Sequence, residues 1–399
     1  MNIVIAGIAE FDPQIGGTER VSVILADCLL QHGFGVFFVG VEKYPDTKPY
    51  TPIAEQIFLP NESEMSCGEN IHCFVNFVVE KKIDVILNQF GNHYDFSILC
   101  AGVRERTGVK LLSAIHTDPE YVKKLYQSDI SLLETPSWLI RQIKSGLKKT
   151  FTFRLKQAMK EFSTLYSYIY RESDAVILLS ERFKPVFKKM AGLSETSKLE
   201  AIPNILSFPP TSESFPKEKQ ILWVGRFDSL VKRPERMLRI WSYLEKRHPD
   251  WNVMFVGDGP CKPLVEQYIK RLGLKNVLLT GHSNPINACK KSSILCMTST
   301  FEGFGLVLTE AMQFGAVPMA FSSFESVFDI IEDGITGYVI QPFDLKLYAQ
   351  RLEFIMMESR QREIMAKNAQ KFVNEKFSDE HITEKWISLF NKIINHCPC

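Results

Sequence analysis

The chain has no long uncharged apolar run. A transmembrane helix needs roughly 18 or more such residues in succession, and no stretch of the sequence meets that requirement. The first residues, MNIVIAGIAEF, carry no basic segment ahead of their apolar run, which predicts a buried first strand in preference to a signal peptide. We therefore expect neither a membrane span nor a secretory leader.

Paired cysteines and excess charge are absent as well. The nine cysteines are an odd number scattered over 399 residues, a pattern typical of reduced thiols in a cytosolic compartment. The formal net charge of +1 lacks the basic excess of a nucleic-acid-binding protein. The sequence thus predicts a cytoplasmic protein without a nucleic-acid partner.

Apolar runs of strand length alternate with segments of helical period along the chain. A first strand, Ile3 to Ala6, is followed by a helix from about Thr18 to His32 and by a strand from Gly35 to Val41. This alternation predicts β-α-β units and a parallel sheet. It stops at Ser207 to Glu218, which carries three prolines, and restarts with Ile221 to Val224. The interruption predicts a loose linker between two domains.

The two halves repeat one architecture. Because 45% of the residues are hydrophobic, the chain has enough apolar material for two cores. We predict an α/β fold with two Rossmann-like parallel-sheet domains, residues 1–206 and 207–378, that face each other across a cleft. The last predicted helix, Asp379 to Asn395, follows a complete second sheet. Residues 379–399 are therefore expected to cross back and pack on the N-terminal domain.

Two adjacent glycines, Gly16 and Gly17, lie between the first predicted strand and the first predicted helix. Glycines there let the backbone approach a ligand and direct N–H groups at an anion near a helix N-terminus. A tight turn is the alternative interpretation. The spacing also differs from the G-x-G-x-x-G of dinucleotide-binding enzymes.

Two cations, Arg226 and Lys232, follow the first strand of the second half. An arginine fork and a lysine point charge on one strand-to-helix loop can neutralise a pyrophosphate from two directions. Phosphates bind at the carboxyl ends of strands in this fold class. We therefore interpret the two residues as a phosphate site in preference to a surface pair.

The densest motif spans residues 301–318 and contains two glutamates, Glu302 and Glu310. Its glycines free backbone N–H groups at the start of a predicted helix. Glu302 can reach a sugar hydroxyl while Glu310 addresses a ribose, because carboxylates accept strongly from hydroxyls. For each glutamate alone, a solvated loop position or a first-turn position favoured by the helix dipole is the alternative.

Taken in order, these motifs resemble family 4 glycosyltransferases of the GT-B fold. The set also includes Gly257-Asp258-Gly259-Pro260, Gly281-His282 and Asp333-Gly334. The resemblance covers nearly the whole chain and is strongest from Ile221 to Ile340. It is weaker in the N-terminal half, which holds the acceptor in such enzymes. It implies a hexosyltransferase that retains the anomeric configuration.

The resemblance also implies roles for the motif residues. Arg226 and Lys232 look like the pair that binds the donor pyrophosphate, and the loop of Gly16 and Gly17 resembles the one that closes over it from the other domain. Glu302 is similar to the glutamate that contacts the donor sugar. The ribose ligand and the backbone N–H groups near the phosphates would come from Glu310, Phe304, Gly305 and Leu306.

One histidine, His116, closes a predicted strand and looks like the family histidine beside the anomeric carbon. A lone histidine is more often structural, but its placement at a strand end favours a functional role. The predicted catalytic residues are His116, Glu302, Arg226 and Lys232.

No Asp-x-Asp pair occurs in the sequence, so a divalent ion at the diphosphate has no evident ligands. The sequence therefore predicts a metal-independent enzyme without a cofactor, in which Arg226, Lys232 and helix N-termini stabilise the departing diphosphate. The donor substrate is expected to be a nucleotide diphosphate sugar, and we favour a UDP-sugar over a GDP-sugar. Retention is implied by the resemblance alone.

Two other functions stay open at the level of sequence. One is a two-Rossmann sugar-nucleotide enzyme of another reaction type, such as a 2-epimerase or a sugar-phosphate synthase. The other is a non-catalytic subunit that binds a nucleotide or a glycan. An epimerase needs no acceptor, so product analysis with the nucleotide sugar alone would discriminate.

Residues 138–160 form a basic amphipathic segment. Apolar residues recur on one helical face, and seven cations occur without an acid between Glu134 and Glu161. Such a segment can lie on an anionic membrane, although an ordinary helix with a basic rim is the alternative. We expect a peripheral protein on the inner face of the membrane. A glycan or lipid-linked acceptor would place it in cell-surface polysaccharide or lipopolysaccharide synthesis.

Overall fold

The structure, a computed structural model, describes residues 1–43, 52–131 and 138–395, without the side chains of 127–131 and 138–152. The described residues divide into two units. The first contains those of Met1–Glu120, Lys156–Ser207 and Phe377–Cys399, and the second those of Tyr121–Leu155 and Phe208–Lys376. The segment Tyr121–Leu155, which the sequence places in the first domain, is thus grouped with the second unit.

The first unit is built on a parallel sheet in the order β3-β2-β1-β4-β5-β6-β7. Its strands are β1 (Asn2–Ala6), β2 (Gly35–Gly40), β3 (Glu55–Phe58), β4 (Val85–Asn88), β5 (Lys110–Ile115), β6 (Ala175–Leu178) and β7 (Leu199–Ala201). Its helices are α1 (Gly17–Gln31), α2 (Gly68–Glu80), α3 (Tyr94–Thr107), α6 (Phe183–Ala191) and α14 (Asp379–Asn395). The central strands are buried on both faces, as parallel strands between helices must be.

The last helix, α14, belongs to the first unit. Its apolar side chains, among them Ile382 and Phe390, join the core that α1 contributes through Leu25 and Leu29. The rings of Trp386 and Phe390 lie 5.6 Å apart within that core. Burial of such a stripe is what holds a terminal helix in place. The predicted return of the C-terminal helix to the N-terminal domain is confirmed.

The second unit repeats the architecture with the strand order β10-β9-β8-β11-β12-β13. Its strands are β8 (Glu218–Val224), β9 (Asn252–Val256), β10 (Val277–Leu279), β11 (Ser292–Met297), β12 (Val317–Phe321) and β13 (Tyr338–Ile340). Its helices are α4 (Tyr121–Ser131), α7 (Pro234–Ser242), α8 (Lys262–Leu272), α9 (Ile286–Lys291), α10 (Leu306–Gln313), α11 (Val327–Ile330), α12 (Leu345–Met357) and α13 (Ser359–Lys376). The predicted α/β fold with two Rossmann-like parallel sheets is confirmed.

The predicted linker, Ser207 to Glu218, is not loose over most of its length. Side-chain amides of the second unit donate to its carbonyl oxygens: Gln313 to Phe208 at 2.7 Å, and Asn374 to Thr211 at 2.9 Å. The ring of Phe215 also packs on Phe314, with centroids 5.7 Å apart. The prolines mark a break in the alternation of strands and helices. The backbone carbonyl groups of the segment nevertheless accept hydrogen bonds from side chains of the second unit, which hold it in place.

One long helix, α5 (Trp138–Glu172), contains the predicted basic segment and continues beyond it. Most of that segment, including Arg141, Lys144, Lys148 and Lys149, lies outside the residues whose side chains are described. Within the described part of the chain, no helix combines the length and the apolar character that a bilayer crossing requires.

Candidate active site

The loop between β8 and α7 carries both predicted diphosphate ligands. Arg226 is exposed just after the strand, and Lys232 lies two residues before the helix. The carboxylate of Asp228 shapes the turn between them, because its Oδ1 accepts from the backbone N–H groups of Leu230, Val231 and Lys232 at 3.1, 2.5 and 3.2 Å. An aspartate that satisfies several successive N–H groups fixes a turn without regular structure.

Lys232 and Glu302 form an ion pair, with Nζ 2.6 Å from Oε1. Their side chains are 26% and 11% exposed, so water screens the pair less than it screens a surface pair. Two residues that the sequence predicts to bind different parts of one donor are thus direct neighbours. A lysine that already neutralises a carboxylate can exchange that partner for a more highly charged diphosphate at small cost in desolvation.

The two loops that carry this ion pair are joined by their backbones. The N–H of Thr300, two residues before Glu302, donates to the carbonyl oxygen of Val231 at 2.7 Å. Since Val231 precedes Lys232, this bond holds the loop after β8 against the loop after β11, at the carboxyl edge of the sheet. That edge is where ligands bind in open parallel sheets.

A third loop, Gly257 to Pro260, packs directly on the backbone of the first. Gly257 and Gly259 have φ values of 143° and 154°, where residues with a side chain are strained. A Cβ on Gly259 would lie 2.6 Å from the carbonyl oxygen of Phe227. The N–H of Phe227 in turn donates to the oxygen of Asp258 at 2.8 Å. The motif therefore supports the Arg226 loop by close approach of two backbones.

The predicted phosphate-facing residues, Phe304, Gly305 and Leu306, stand where α10 begins. Gly305 is the N-cap, with φ of 98°, and Ser326 Oγ donates to the carbonyl oxygens of Gly303 and Phe304 at 2.9 and 3.2 Å. The start of the helix is therefore held from one side. First-turn N–H groups carry partial positive charge that suits an anion.

Glu310 lies in α10 and is 2% exposed. It stands in the second turn of the helix and is more deeply buried than Glu302, which is partly exposed. Its role as a ribose ligand stays a prediction.

In the first unit, His116 lies just after β5, and its Nε2 is 2.6 Å from Oε1 of the buried Gln89. Since an amide oxygen can only accept, Nε2 carries the proton and Nδ1 is left as an acceptor. Burial lowers the pKa of His116 to about 4. The imidazole is therefore neutral at physiological pH.

The glycine pair of the first unit stands at the start of α1. Gly16 is the N-cap in extended conformation, and Gly17 is the first helical residue. Glu19, in the first turn of α1, is 8% exposed, and burial raises the pKa of its carboxyl. The glutamate folds back toward Gly16, where a Cβ would meet its carboxylate. The absence of a side chain at Gly16 therefore leaves room for the carboxylate of Glu19.

Replacing Arg233 by glycine is expected to destabilise the second unit, although the backbone there favours glycine. Arg233 has φ of 53° and is 8% exposed, and its guanidinium pairs with the buried carboxylate of Glu235. Glycine would relieve about 1 kcal/mol of backbone strain. It would also leave Glu235 buried without its cation, at a cost of about 3–5 kcal/mol. Urea unfolding of the variant should show the net loss.

The matched control is the double variant Arg233→Gly with Glu235→Gln, which removes the buried charge together with its partner. We expect it to recover most of the lost free energy of unfolding. A single variant as stable as the wild type would contradict the assignment of Arg233 as the required counterion.

The residues that sequence reasoning missed are Trp223, Thr298 and Arg236, which are buried beneath the Lys232–Glu302 pair. Their contacts join residues more than 60 positions apart, and no local pattern marks them. Among the described residues, no group of three His, Cys, Asp or Glu side chains is arranged to hold a metal ion.

The family model described as Glycosyl transferases group 1 matches residues 207–372. An uncharacterized glycosyltransferase of Haemophilus influenzae is 24% identical over 375 residues, which cover 93% of this chain and 95% of that protein. The GalNAc-alpha-(1->4)-GalNAc-alpha-(1->3)-diNAcBac-PP-undecaprenol alpha-1,4-N-acetyl-D-galactosaminyltransferase of Campylobacter jejuni is 28% identical over 183 residues. That match covers 46% of this chain and half of the relative.

Among solved structures, HepE of Anabaena in complex with UDP and glucose superposes with a TM-score of 0.73. The superposition covers 98% of this chain and all of HepE at 16% sequence identity. At that identity the likeness shows the fold alone. The family model matches residues of the second unit, whereas the likeness to HepE covers the folds of both units.

Proposed function

We propose that this chain acts as a glycosyltransferase, since the match of residues 207–372 to the group 1 glycosyl transferases confirms the predicted resemblance. It transfers a hexose from a nucleotide diphosphate sugar, a UDP-sugar in preference to a GDP-sugar, to a glycan or lipid-linked acceptor. It retains the anomeric configuration and uses no metal ion.

The observation that carries the proposal is the ion pair of Lys232 with Glu302, with the exposed Arg226 on the same loop as Lys232. Negative charge develops on the diphosphate as the bond to the anomeric carbon breaks. A lysine and an arginine at the carboxyl edge of the sheet stabilise that charge, and one well-placed donor of this kind contributes about 3 kcal/mol. Glu302, freed from Lys232, accepts a hydrogen bond from a hydroxyl of the donor sugar.

Retention follows from attack on the face that the leaving group vacates. The acceptor oxygen forms a bond to the anomeric carbon, the bond from that carbon to the diphosphate oxygen breaks, and a diphosphate oxygen takes the acceptor proton. The role of the neutral imidazole of His116, beside the anomeric carbon, stays a part of the proposal. There its neutral form can accept a hydrogen bond without adding a positive charge.

The test of function has two stages. A panel of nucleoside diphosphates is first screened by thermal shift, because a ligand that binds only the folded state raises the midpoint. The matching nucleotide sugar is then incubated with glycan and lipid-linked acceptors, and the anomeric configuration of the product is read by NMR. A stabilising nucleotide with no transferred sugar, or an inverted product, would contradict the proposal.

Chelation should leave the transfer rate largely unchanged. Arg226 and Lys232 supply positive charge at the diphosphate in place of a divalent ion. The measurement is the initial rate with and without excess EDTA, after dialysis against the chelator. Complete loss that magnesium or manganese restores would show that a metal ion is required.

Membrane docking through residues 138–160 is the second part of the proposal. At its described end, Phe153 is 69% exposed beside the exposed Arg154, Lys156 and Lys160. An exposed aromatic ring among cations suits the interface of an anionic bilayer. The Campylobacter relative is named for an undecaprenol-linked substrate, which supports a lipid-linked acceptor here.

Reversing Arg154, Lys156 and Lys160 to glutamate is expected to abolish sedimentation with anionic liposomes at low salt. Each cation near the surface contributes about 1 kcal/mol. The matched control reverses three exposed cations on another helix, Arg360, Lys367 and Lys371 of α13. Equal losses in both variants, or wild-type binding to neutral liposomes as strong as to anionic ones, would refute the docking surface.

A further inference from the structure

A single buried hydroxyl joins the two loops of the candidate active site. Thr298 follows β11 and is 0% exposed. Its Oγ1 accepts from the indole N–H of Trp223 at 3.0 Å. It also donates to the carbonyl oxygen of Arg233 at 3.1 Å. The hydroxyl therefore uses both its donor and its acceptor to hold β11 against the start of α7.

A buried guanidinium makes the second link. Arg236, in α7, is 6% exposed. Its Nη1 donates to the carbonyl oxygen of Thr298 at 3.0 Å and to Oγ1 of Thr300 at 3.3 Å. Its Cζ also lies 3.9 Å from the ring centroid of Phe343. The guanidinium thus fixes both ends of the Thr298–Thr300 segment from one side chain.

These links lie directly beneath the ion pair. Arg233, whose carbonyl oxygen Thr298 holds, is the neighbour of Lys232. Thr300, which Arg236 holds, is two residues before Glu302. Lys232 and Glu302 are themselves partly open to solvent, so their separation is set by the buried contacts under their backbones more than by their own packing.

We propose that Thr298 and Arg236 are positioning residues for sugar transfer. They hold the lysine that binds the diphosphate at a fixed distance from the glutamate that binds the sugar. The inference rests on the proposed function of that pair. Neither residue touches the donor. Each acts through the loop that it anchors.

The expected effect is large because catalytic groups tolerate little displacement. A shift of about 1 Å in a group that orients the reacting atoms can cost on the order of 100-fold in rate. Supporting residues behind the contact residues supply that precision. Loss of the Thr298 hydroxyl should therefore reduce turnover more than it reduces donor affinity.

The test compares Thr298→Val, which keeps the shape and removes the hydroxyl, with Thr298→Ser, which keeps the hydroxyl. We expect kcat to fall roughly 30-fold in the valine variant, with KM for the donor changed less than about threefold, and to stay within about threefold of wild type in the serine variant. Ser293→Ala is the control for stability alone. That side chain is buried at the opposite end of β11 and donates to Glu218 O at 2.6 Å.

A valine variant that loses melting temperature as Ser293→Ala does, yet keeps the wild-type kcat, overturns the inference. An Arg236→Lys variant gives a second chance to contradict it, since a lysine has no planar guanidinium to stack on the Phe343 ring while it donates to Thr298 and Thr300. Its kcat should fall at least tenfold while the protein stays folded. A folded Arg236→Lys protein with the wild-type kcat also overturns the inference.

A readout independent of turnover separates this inference from the proposed function. Lysines are ¹³C-methylated reductively, and the Lys232 signal is identified by its loss in Lys232→Arg. In Glu302→Gln the Lys232 signal should be shifted from its wild-type position, because the ion pair is lost. In Thr298→Val the same signal should lie near the position that it has in Glu302→Gln. An unmoved signal in Thr298→Val refutes the positioning role, whereas a wild type that transfers no sugar refutes the proposed function alone.

Discussion

Replacing Lys232 with alanine is expected to lower the rate of sugar transfer about 100-fold while the protein stays folded. Lys232 lies at the carboxyl edge of the second sheet and pairs with Glu302 at 2.6 Å. When the donor binds, the same ammonium group stabilises the charge that grows on the departing diphosphate. That charge is largest in the transition state, so the loss should fall mainly on kcat.

The matched control is Lys219→Ala. Lys219 also makes a 2.6 Å ion pair, with Asp250, but at the other end of the same strand, β8. Its side chain is 61% exposed, and surface pairs of this kind contribute little to stability. Initial rates at saturating donor, together with circular dichroism, compare the two variants. A Lys232→Ala enzyme that keeps more than half the wild-type rate would show that the diphosphate binds elsewhere.

The second large effect is expected from Gly257→Ala, which should abolish donor binding and destabilise the second unit by about 3 kcal/mol or more. Gly257 has φ of 143°, and a Cβ there would overlap the carbonyl oxygen of Gly225. The neighbour is backbone, so no rotamer change can make room. Gly225 would have to move, and it directly precedes Arg226.

Gly273→Ala separates the clash from backbone strain. Gly273 caps α8 with φ of 66°, and nothing lies within 4 Å of its Cβ position. Its replacement should cost about 1–2 kcal/mol and leave transfer unchanged. Chemical unfolding and calorimetric titration with the nucleoside diphosphate measure the two effects. Full donor affinity in Gly257→Ala would mean that the Gly257 loop does not support Arg226.

Much of the fold follows from sequence patterns alone. The predicted strand Gly35 to Val41 is β2 (Gly35–Gly40), and the last predicted helix, Asp379 to Asn395, is α14. Such patterns are local, because the period of apolar residues in a strand or a helix is visible within a short stretch of sequence. The missed strand, β3, is short and largely unburied at the sheet edge. An edge strand of this kind has little apolar signal to detect.

For the candidate site as well, local sequence patterns and tertiary contacts determine different features. The sequence by itself determined which residue types stand at the carboxyl ends of strands, and thus Arg226, Lys232, Glu302 and His116 as candidates. Only the tertiary structure decided that Lys232 and Glu302, 70 residues apart, form one ion pair, and that Thr298 and Arg236 support it. Periodicity is written in neighbouring residues, but these contacts depend on how two strands and their loops pack, which no short stretch of sequence contains.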